Sequence, residues 1–339
     1  MFIFATLTGF KTLSALRMNQ IIWGIIGCGN VTEVKSGPAF NKVPNSSLHA
    51  VMRRDNALAK DYAERHKVSK WYSNAYELIH DDHVNAIYVA TPPNSHLEYT
   101  VAAFQAGKPV YVEKPMALNA TEAIRMLESS EKYSCKLSVA HYRRAQPRFK
   151  EIKRLISENI IGDIISAKIR LSQSPSPGVE RTWRVNPLIS GGGLFHDLAP
   201  HQLDLMLYFF GKPKAIDGNS LNLGGIYQAD DYVKADIIFG DNVSFNGIWN
   251  FTVNPDNEED ICEISGTKGS ISFPVFSDGC TLNIKGEVKD LHFPPIEHVQ
   301  QPMIEQVVNY FLEIGSNPCS AEDAVIVMEI LDRITKKSS

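Results

Sequence analysis

Residues 191–201 read Gly-Gly-Gly-Leu-Phe-His-Asp-Leu-Ala-Pro-His and hold the residue types that proton-transfer chemistry needs. Asp197 and His201 stand four apart in a stretch of helical character, and side chains so spaced share a helix face, with Cβ atoms about 5–6 Å apart. A carboxylate there would orient the imidazole and tune its charge, making an acid/base pair. The neighbouring Gly191, Gly192 and Gly193 would let backbone approach a bound molecule without Cβ atoms in the way. An N-cap aspartate and a packed histidine would use the same residues. Pro200 cannot donate a hydrogen bond and clashes one turn back, so the helix must begin near Asp197 or kink.

Three further segments fall where a parallel sheet would offer strand ends to a ligand. Gly27, Cys28, Gly29, Asn30 and Val31 follow the first apolar run, where a dinucleotide fold sets a phosphate against a helix N-terminus. Thr32 stands at the third glycine position and Gly37-Pro38 follows soon after, so this motif gains its meaning from its place in a βαβ run. At the end of the second run, where an NAD-binding fold offers an acid to the ribose, the chain has Arg53 and Arg54, with Asp55 just beyond. Guanidinium groups suit a 2′-phosphate, so NADP is expected ahead of NAD, although two solvated arginines opening a helix would look the same.

Thr91, Pro92 and Asn94 close the strand expected at 85–90, with His96 in the next helix; a capping turn would also account for them. Glu113, Lys114 and Pro115 follow the strand expected at 109–112. Lys114 would arrive beside a nicotinamide ring and could donate to a substrate oxygen, unless it is an ordinary surface lysine.

The elements that must position these residues alternate through 21–140. Short apolar runs at 21–26, 48–52, 85–90, 109–112 and 137–140 predict strands, and 55–66, 74–80, 96–106 and 120–133 carry helical spacing. Gly107 closes the third of these helices. Such alternation predicts a doubly wound parallel sheet.

After Tyr142 the pattern changes. A helix is expected at 146–158 with Gly162 ending it, then a strand at 164–172, a Pro/Ser-rich loop at 172–178 and the 191–201 segment with its helix to Phe210. Strands are expected at 214–222, 231–239, 243–251, 259–265, 269–273, 280–285 and 288–293, and close succession implies an antiparallel sheet. Helices at 301–314 and 321–335 finish the chain. The fold class expected is α/β joined to α+β: a dinucleotide-binding domain over 18–141, then a mostly antiparallel domain over 142–339, to which the resemblance drawn below gives substrate binding and oligomerisation.

At 339 residues, with 44% hydrophobic and 21% charged residues, the chain has length for about two domains and a sizeable core. A formal net charge of −4 argues against broad binding of nucleic acid or anionic membrane and for small-molecule partners. Cys28, Cys135, Cys262, Cys280 and Cys319 are scattered and show no Cys-x-x-Cys spacing, so neither a disulfide framework nor a metal site is expected. Residues 1–17 place their apolar part before Lys11 and Arg17, the reverse of a secretory signal. They read as an optional extension before a start at Met18, and the expected compartment is the cytoplasm.

Together the Gly-x-Gly turn, the Thr-Pro-x-x-x-His segment at 91–96, Gly107-Lys108, Glu113-Lys114-Pro115, Trp183-Arg184 and the 191–204 stretch resemble the Gfo/Idh/MocA family, which includes glucose-fructose oxidoreductase and inositol dehydrogenases. The resemblance implies a Rossmann domain binding NAD(P), followed by a mostly antiparallel open-sheet domain, with substrate held between them. It implies hydride exchange with a secondary alcohol or carbonyl of a sugar or polyol, and a homodimer or homotetramer formed through the open sheet. It makes Lys114 the lysine of the Glu-Lys-Pro motif, Asp197 the aspartate after the triple glycine and His201 the base. His141, Tyr142, Trp183 and Arg184 fall where relatives build substrate or cofactor walls. Some relatives oxidise a sugar only transiently and release a glycosidic group, and a cofactor-binding regulator would keep the fold without the chemistry.

Overall fold

The computed structural model describes residues 19–335, so the expected extension over 1–17 and Met18 lie outside the described residues. The first half runs β1 (Ile21–Ile26), α1 (Asn30–Val34), β2 (Ser46–Met52), α2 (Asn56–His66), β3 (Lys70–Tyr72), α3 (Ala75–Ile79), β4 (Ala86–Val89), α4 (His96–Gln105), β5 (Val110–Val112), α5 (Ala120–Lys132) and β6 (Leu137–Val139). Its six strands lie in the order β3-β2-β1-β4-β5-β6, all parallel. Every residue of β4 and β5 is buried, as expected of strands covered by helices on both faces. The carboxyl ends of β1, β4 and β5 carry Gly27, Thr91 and Glu113-Lys114 to one edge of the sheet.

The second half runs α6 (Pro147–Ser157), β7 (Ile164–Ser172), α7 (Pro187–Ser190), α8 (Gly193–Phe210), β8 (Pro213–Leu221), β9 (Tyr232–Phe239), β10 (Val243–Asn250), β11 (Glu259–Gly266), β12 (Gly269–Phe273), β13 (Thr281–Ile284), β14 (Glu287–Asp290), α9 (Gln301–Phe311) and α10 (Ala321–Ile334). Its eight strands lie in the order β14-β13-β12-β11-β7-β10-β9-β8. All neighbours are antiparallel except β7 and β10, which pair in parallel. Along β9 the buried Val233, Ala235, Ile237 and Phe239 alternate with exposed Lys234 and Asp236, so one face packs and the other stays open. On the packed side, α10 touches α8, β8 and also α5 of the first half. The two halves share one contiguous apolar core.

Some local expectations need correction. The edge strand β3 is only three residues long and half exposed, too short to produce a periodic signal. Gly162 does not end α6; the left-handed residue beyond that helix is Asn159, with φ 58°. Instead Gly162, at φ +79°, sits where a Cβ would come within 2.9 Å of the Lys268 backbone nitrogen, a close turn beside β12. The helix carrying the acid/base residues starts at Gly193 rather than near Asp197, which leaves Pro200 in its interior.

Candidate active site

The turn after β1 is built for close approach. Gly27 has φ +95°, and a Cβ there would lie 2.8 Å from the Thr91 backbone nitrogen, so any larger residue would push the ends of β1 and β4 apart. The nitrogens of Gly27 and Cys28 both donate to the Met52 carbonyl, at 2.9 and 3.1 Å, which ties the turn to the end of β2. Gly29 caps α1 with no side chain to satisfy the helix's first N–H groups, and the space its Cβ would occupy is open, the nearest atom being Gly27 O at 3.9 Å. Backbone donors at Asn30 and Val31 beside an open cradle suit a diphosphate. Thr32 is fully buried, its hydroxyl donates to Gly29 O at 2.8 Å, and its carbonyl accepts the Tyr62 hydroxyl at 2.8 Å. The close contact a third glycine usually permits is made at Gly37, where a Cβ would lie 2.2 Å from Thr32 O.

Arg53 and Arg54 follow β2 directly, Arg53 half-buried and Arg54 exposed. Burial pushes the Cys28 thiol up to about 11, with the Arg53 charge pulling the other way. Asp55 accepts the Leu58 N–H at 3.1 Å as the N-cap of α2. Glu33 is held to about 2, against its burial, by hydrogen bonds from Arg65 and also from His66.

His96 joins two of the predicted segments. Its ring is buried, with Nε2 2.7 Å from the Thr91 carbonyl and Nδ1 3.0 Å from the Pro115 carbonyl. It therefore braces the strand-end loops, while Thr91 Oγ1 accepts the Ser95 hydroxyl at 2.8 Å, Pro92 is half-buried and Asn94 is exposed. Glu113 is likewise committed to a buried network: Oε1 accepts from Tyr88 Oη at 2.5 Å and from Gln300 Nε2 at 2.6 Å, and Oε2 accepts the Lys114 N–H at 3.1 Å.

Lys114 reaches across to the second half. Its Nζ donates to Asp197 Oδ1 and to the Asp197 carbonyl, each at 2.8 Å. The other carboxylate oxygen, Oδ2, accepts from Arg184 Nε at 3.1 Å, and the Arg184 guanidinium lies 4.7 Å from the centre of the Trp183 ring. Burial opposes ionisation of Asp197, but the charges and hydrogen bonds of Lys114 and Arg184 outweigh it and hold the carboxyl below the usual range.

The expected contact between Asp197 and His201 is not formed. Two cationic side chains hold both carboxylate oxygens, and a neutral imidazole does not compete with them. His201 is 6% exposed, and its Nδ1 is buried without a hydrogen-bond partner. Burial, then the charges of Lys114, Arg143, His141 and Lys35, keep it well below the ordinary imidazole range. Its ring packs edge-on to Tyr142 at 5.2 Å and to Phe276 at 5.8 Å. Arg143 stacks over Phe276 at 4.8 Å, and its Nη1 donates to Val275 O at 2.5 Å. Phe276, Arg143 and Gln300 carried no signal in the sequence, since distant stretches of chain bring them together.

His141 is buried beside Asp204, Nδ1 to Oδ1 3.8 Å, and burial holds it to about 4. Asp204 is itself forked by Arg144, which also pairs with Asp323 at the start of α10. This network fixes α8 against α10 and the 142–145 turn, beneath Tyr142 and His201.

A glycine-turned parallel sheet whose edge lysine meets a carboxylate from a second, open-sheet half defines a two-domain dinucleotide-binding oxidoreductase. The chain belongs to the Gfo/Idh/MocA family: the family's NAD-binding Rossmann-fold oxidoreductase domain matches residues 21–141 and its C-terminal domain residues 149–272. Oxidoreductase P35 of Formosa agariphila is 47% identical over 318 residues, 93% of this chain and 98% of that protein. The scyllo-inositol 2-dehydrogenase (NADP(+)) IolW of Bacillus subtilis is 30% identical over 225 residues, 66% of this chain and 61% of that one. Among solved structures, levoglucosan dehydrogenase in complex with NADH and levoglucosan superposes with a TM-score of 0.82 at 22% identity, covering 94% of this chain and 98% of that one. Among the described residues, no helix is long and apolar enough to cross a membrane.

Proposed function

We propose that this oxidoreductase exchanges a hydride between a nicotinamide dinucleotide and a secondary alcohol or carbonyl of a sugar or polyol, with Lys114, Asp197 and His201 as its proton-handling group. The observation that carries this reading is the Lys114–Asp197 pair, which joins the two halves one helical turn from His201. The relatives support the substrate class, since one is named for scyllo-inositol and a structural neighbour holds levoglucosan.

When bound, the nicotinamide supplies the hydride chemistry. The 27–31 turn would hold its diphosphate, with the backbone donors at Asn30 and Val31. Arg53 and Arg54 would meet a 2′-phosphate, and the capping duty of Asp55 supports NADP as the preferred form over NAD. Pro92 and Asn94 would lie along the same edge, and Thr91, His96 and Glu113 would shape it through the backbone they fix.

In the oxidative direction His201, kept neutral, takes the hydroxyl proton. Nδ1 is closed off, which favours Nε2 as the accepting atom. The Lys114 ammonium donates to the same oxygen as it becomes a carbonyl, and Asp197 keeps that ammonium aimed. Tyr142, Trp183 and Arg184 would line the substrate side. We place the domain boundary at 141/142, assign the open face of the second sheet to a homodimer or homotetramer, and assign the enzyme to the cytoplasm. Five free cysteines, four of them buried, fit a reducing compartment.

A panel of sugars and polyols, assayed for reduced nicotinamide with NAD and NADP in parallel, tests the proposal. Turnover with at least one compound is expected. Sugar release without net reduction would instead mark a transiently oxidising glycosidase, and cofactor binding without either would mark a regulator.

A further inference from the structure

A second cluster lies away from this cleft, on the β2 side of the first sheet. His49 sits in the middle of β2, and Asp81 and His83 lie in the segment that leads into the amino end of β4. One ligand-type atom from each of the three residues lies within 4.8 Å of the other two. His49 Nε2 is 3.6 Å from Asp81 Oδ2, and His83 Nδ1 is 3.2 Å from Asp81 Oδ1. Ligand atoms of a tetrahedral zinc, each about 2.0–2.2 Å from the ion, stand about 3.3–3.6 Å apart, so each histidine already stands about one ligand spacing from its nearer carboxylate oxygen.

His49 Nε2 is buried and has no hydrogen-bond partner, which is costly for a polar atom unless something completes its shell. The two imidazole rings stack at 5.2 Å with an interplanar angle of 20°, both beside the same carboxylate. That carboxylate is already oriented: its side chain is 3% exposed, Oδ2 accepts the Tyr72 hydroxyl at 2.8 Å, and Oδ1 accepts the His83 N–H at 2.9 Å. Supporting hydrogen bonds of this kind characterise ligating carboxylates. His83 is 70% exposed and leaves an open side for entry and for a bound water.

We infer that His49, Asp81 and His83 form a binding site for one divalent transition-metal ion of the zinc class. Two imidazoles and one carboxylate are a borderline donor set of that kind. Two cations oppose the ion. The Lys70 ammonium lies 3.4 Å from Asp81 Oδ2 on a side chain 46% exposed, and Lys108 Nζ donates to the Asp81 carbonyl at 2.7 Å. Lys70 is free to swing into solvent, and the ion takes its place on the carboxylate. A bound ion would tie β2 to the loop entering β4, and its binding free energy would stabilise the folded chain.

Titration of the chelator-treated full chain with zinc chloride, followed by calorimetry and thermal unfolding, tests the site. Wild type should bind one equivalent and unfold at a higher temperature with zinc. His83→Ala, at an exposed position, and His49→Gln should each weaken binding by about tenfold or more and abolish the thermal shift. Lys70→Met, which removes the competing charge, should bind zinc more tightly than wild type. No binding at millimolar zinc would overturn the inference. So would binding that survives His83→Ala, which would place the metal elsewhere, for example on the cysteines; this arm stands even if His49→Gln does not fold.

Discussion

The Lys114 ammonium stands 2.8 Å from Asp197 Oδ1, a contact between residues 83 positions apart that fastens the edge of the first sheet to the helix of the second half. Both side chains are largely buried, 11% and 19% exposed, so neither charge is solvated well enough to stand alone. Removing one partner leaves the other stranded. Asp197→Asn should therefore lower kcat by about 10²–10⁴-fold, the range for a positioned proton-transfer group, while cofactor affinity changes little. Steady-state kinetics beside a fluorescence titration of reduced cofactor would check this.

Cofactor choice should move with the two arginines. Arg53→Ser combined with Arg54→Ser should weaken NADP(H) relative to NAD(H) by about 10–100-fold, the equivalent of one or two lost charge-assisted hydrogen bonds. The ratio of kcat/KM for the two cofactors measures it. A ratio unmoved by the double substitution would remove these guanidinium groups from the site.

Stability should depend on pH through the buried histidines. The folded protein holds His141 to about 4, and His201 is also depressed, while both are ordinary imidazoles when unfolded. Between about pH 4 and 6.5 the unfolded chain thus binds more protons, so stability rises with pH across this window and is fully present above it. Urea unfolding at pH 5 and pH 7.5 should differ by on the order of a few kcal/mol. His141→Gln should shrink the difference.

The glycine turn should not tolerate a side chain. Gly27→Ala forces a methyl group against the Thr91 nitrogen and holds an L-residue at φ +95°. We expect a loss of about 1–2 kcal/mol from backbone conformation alone, more from the clash, and cofactor binding weakened with it. Chemical denaturation and cofactor titration read the two effects separately.

Much of the architecture was legible because it follows from local chemistry. Buried strands of a parallel sheet read as apolar runs, as 86–89 does, and strands with one open face alternate, as β9 does. The positions of Gly27, Lys114, Asp197 and His201 followed from strand ends and helix spacing. What escaped depended on partners remote in sequence. The parallel pairing of β7 with β10 has no local signature. Helix spacing puts Asp197 and His201 on one face, but which way the carboxylate turns was decided by Lys114 and Arg184. The commitment of Glu113 to Tyr88 and Gln300 likewise needed the loop before α9 to be in place.

In the proposed reaction Lys114 and His201 serve one substrate oxygen. Turnover of the preferred sugar or polyol by Lys114→Met, by His201→Ala and by the double variant tests it most directly, with cofactor dissociation constants measured on the same samples. Each single change should lower kcat by about 100-fold or more, and the double should be little worse than the poorer single, because groups acting on the same atom are not additive. Wild-type turnover in His201→Ala, or losses that multiply in the double variant, would contradict it.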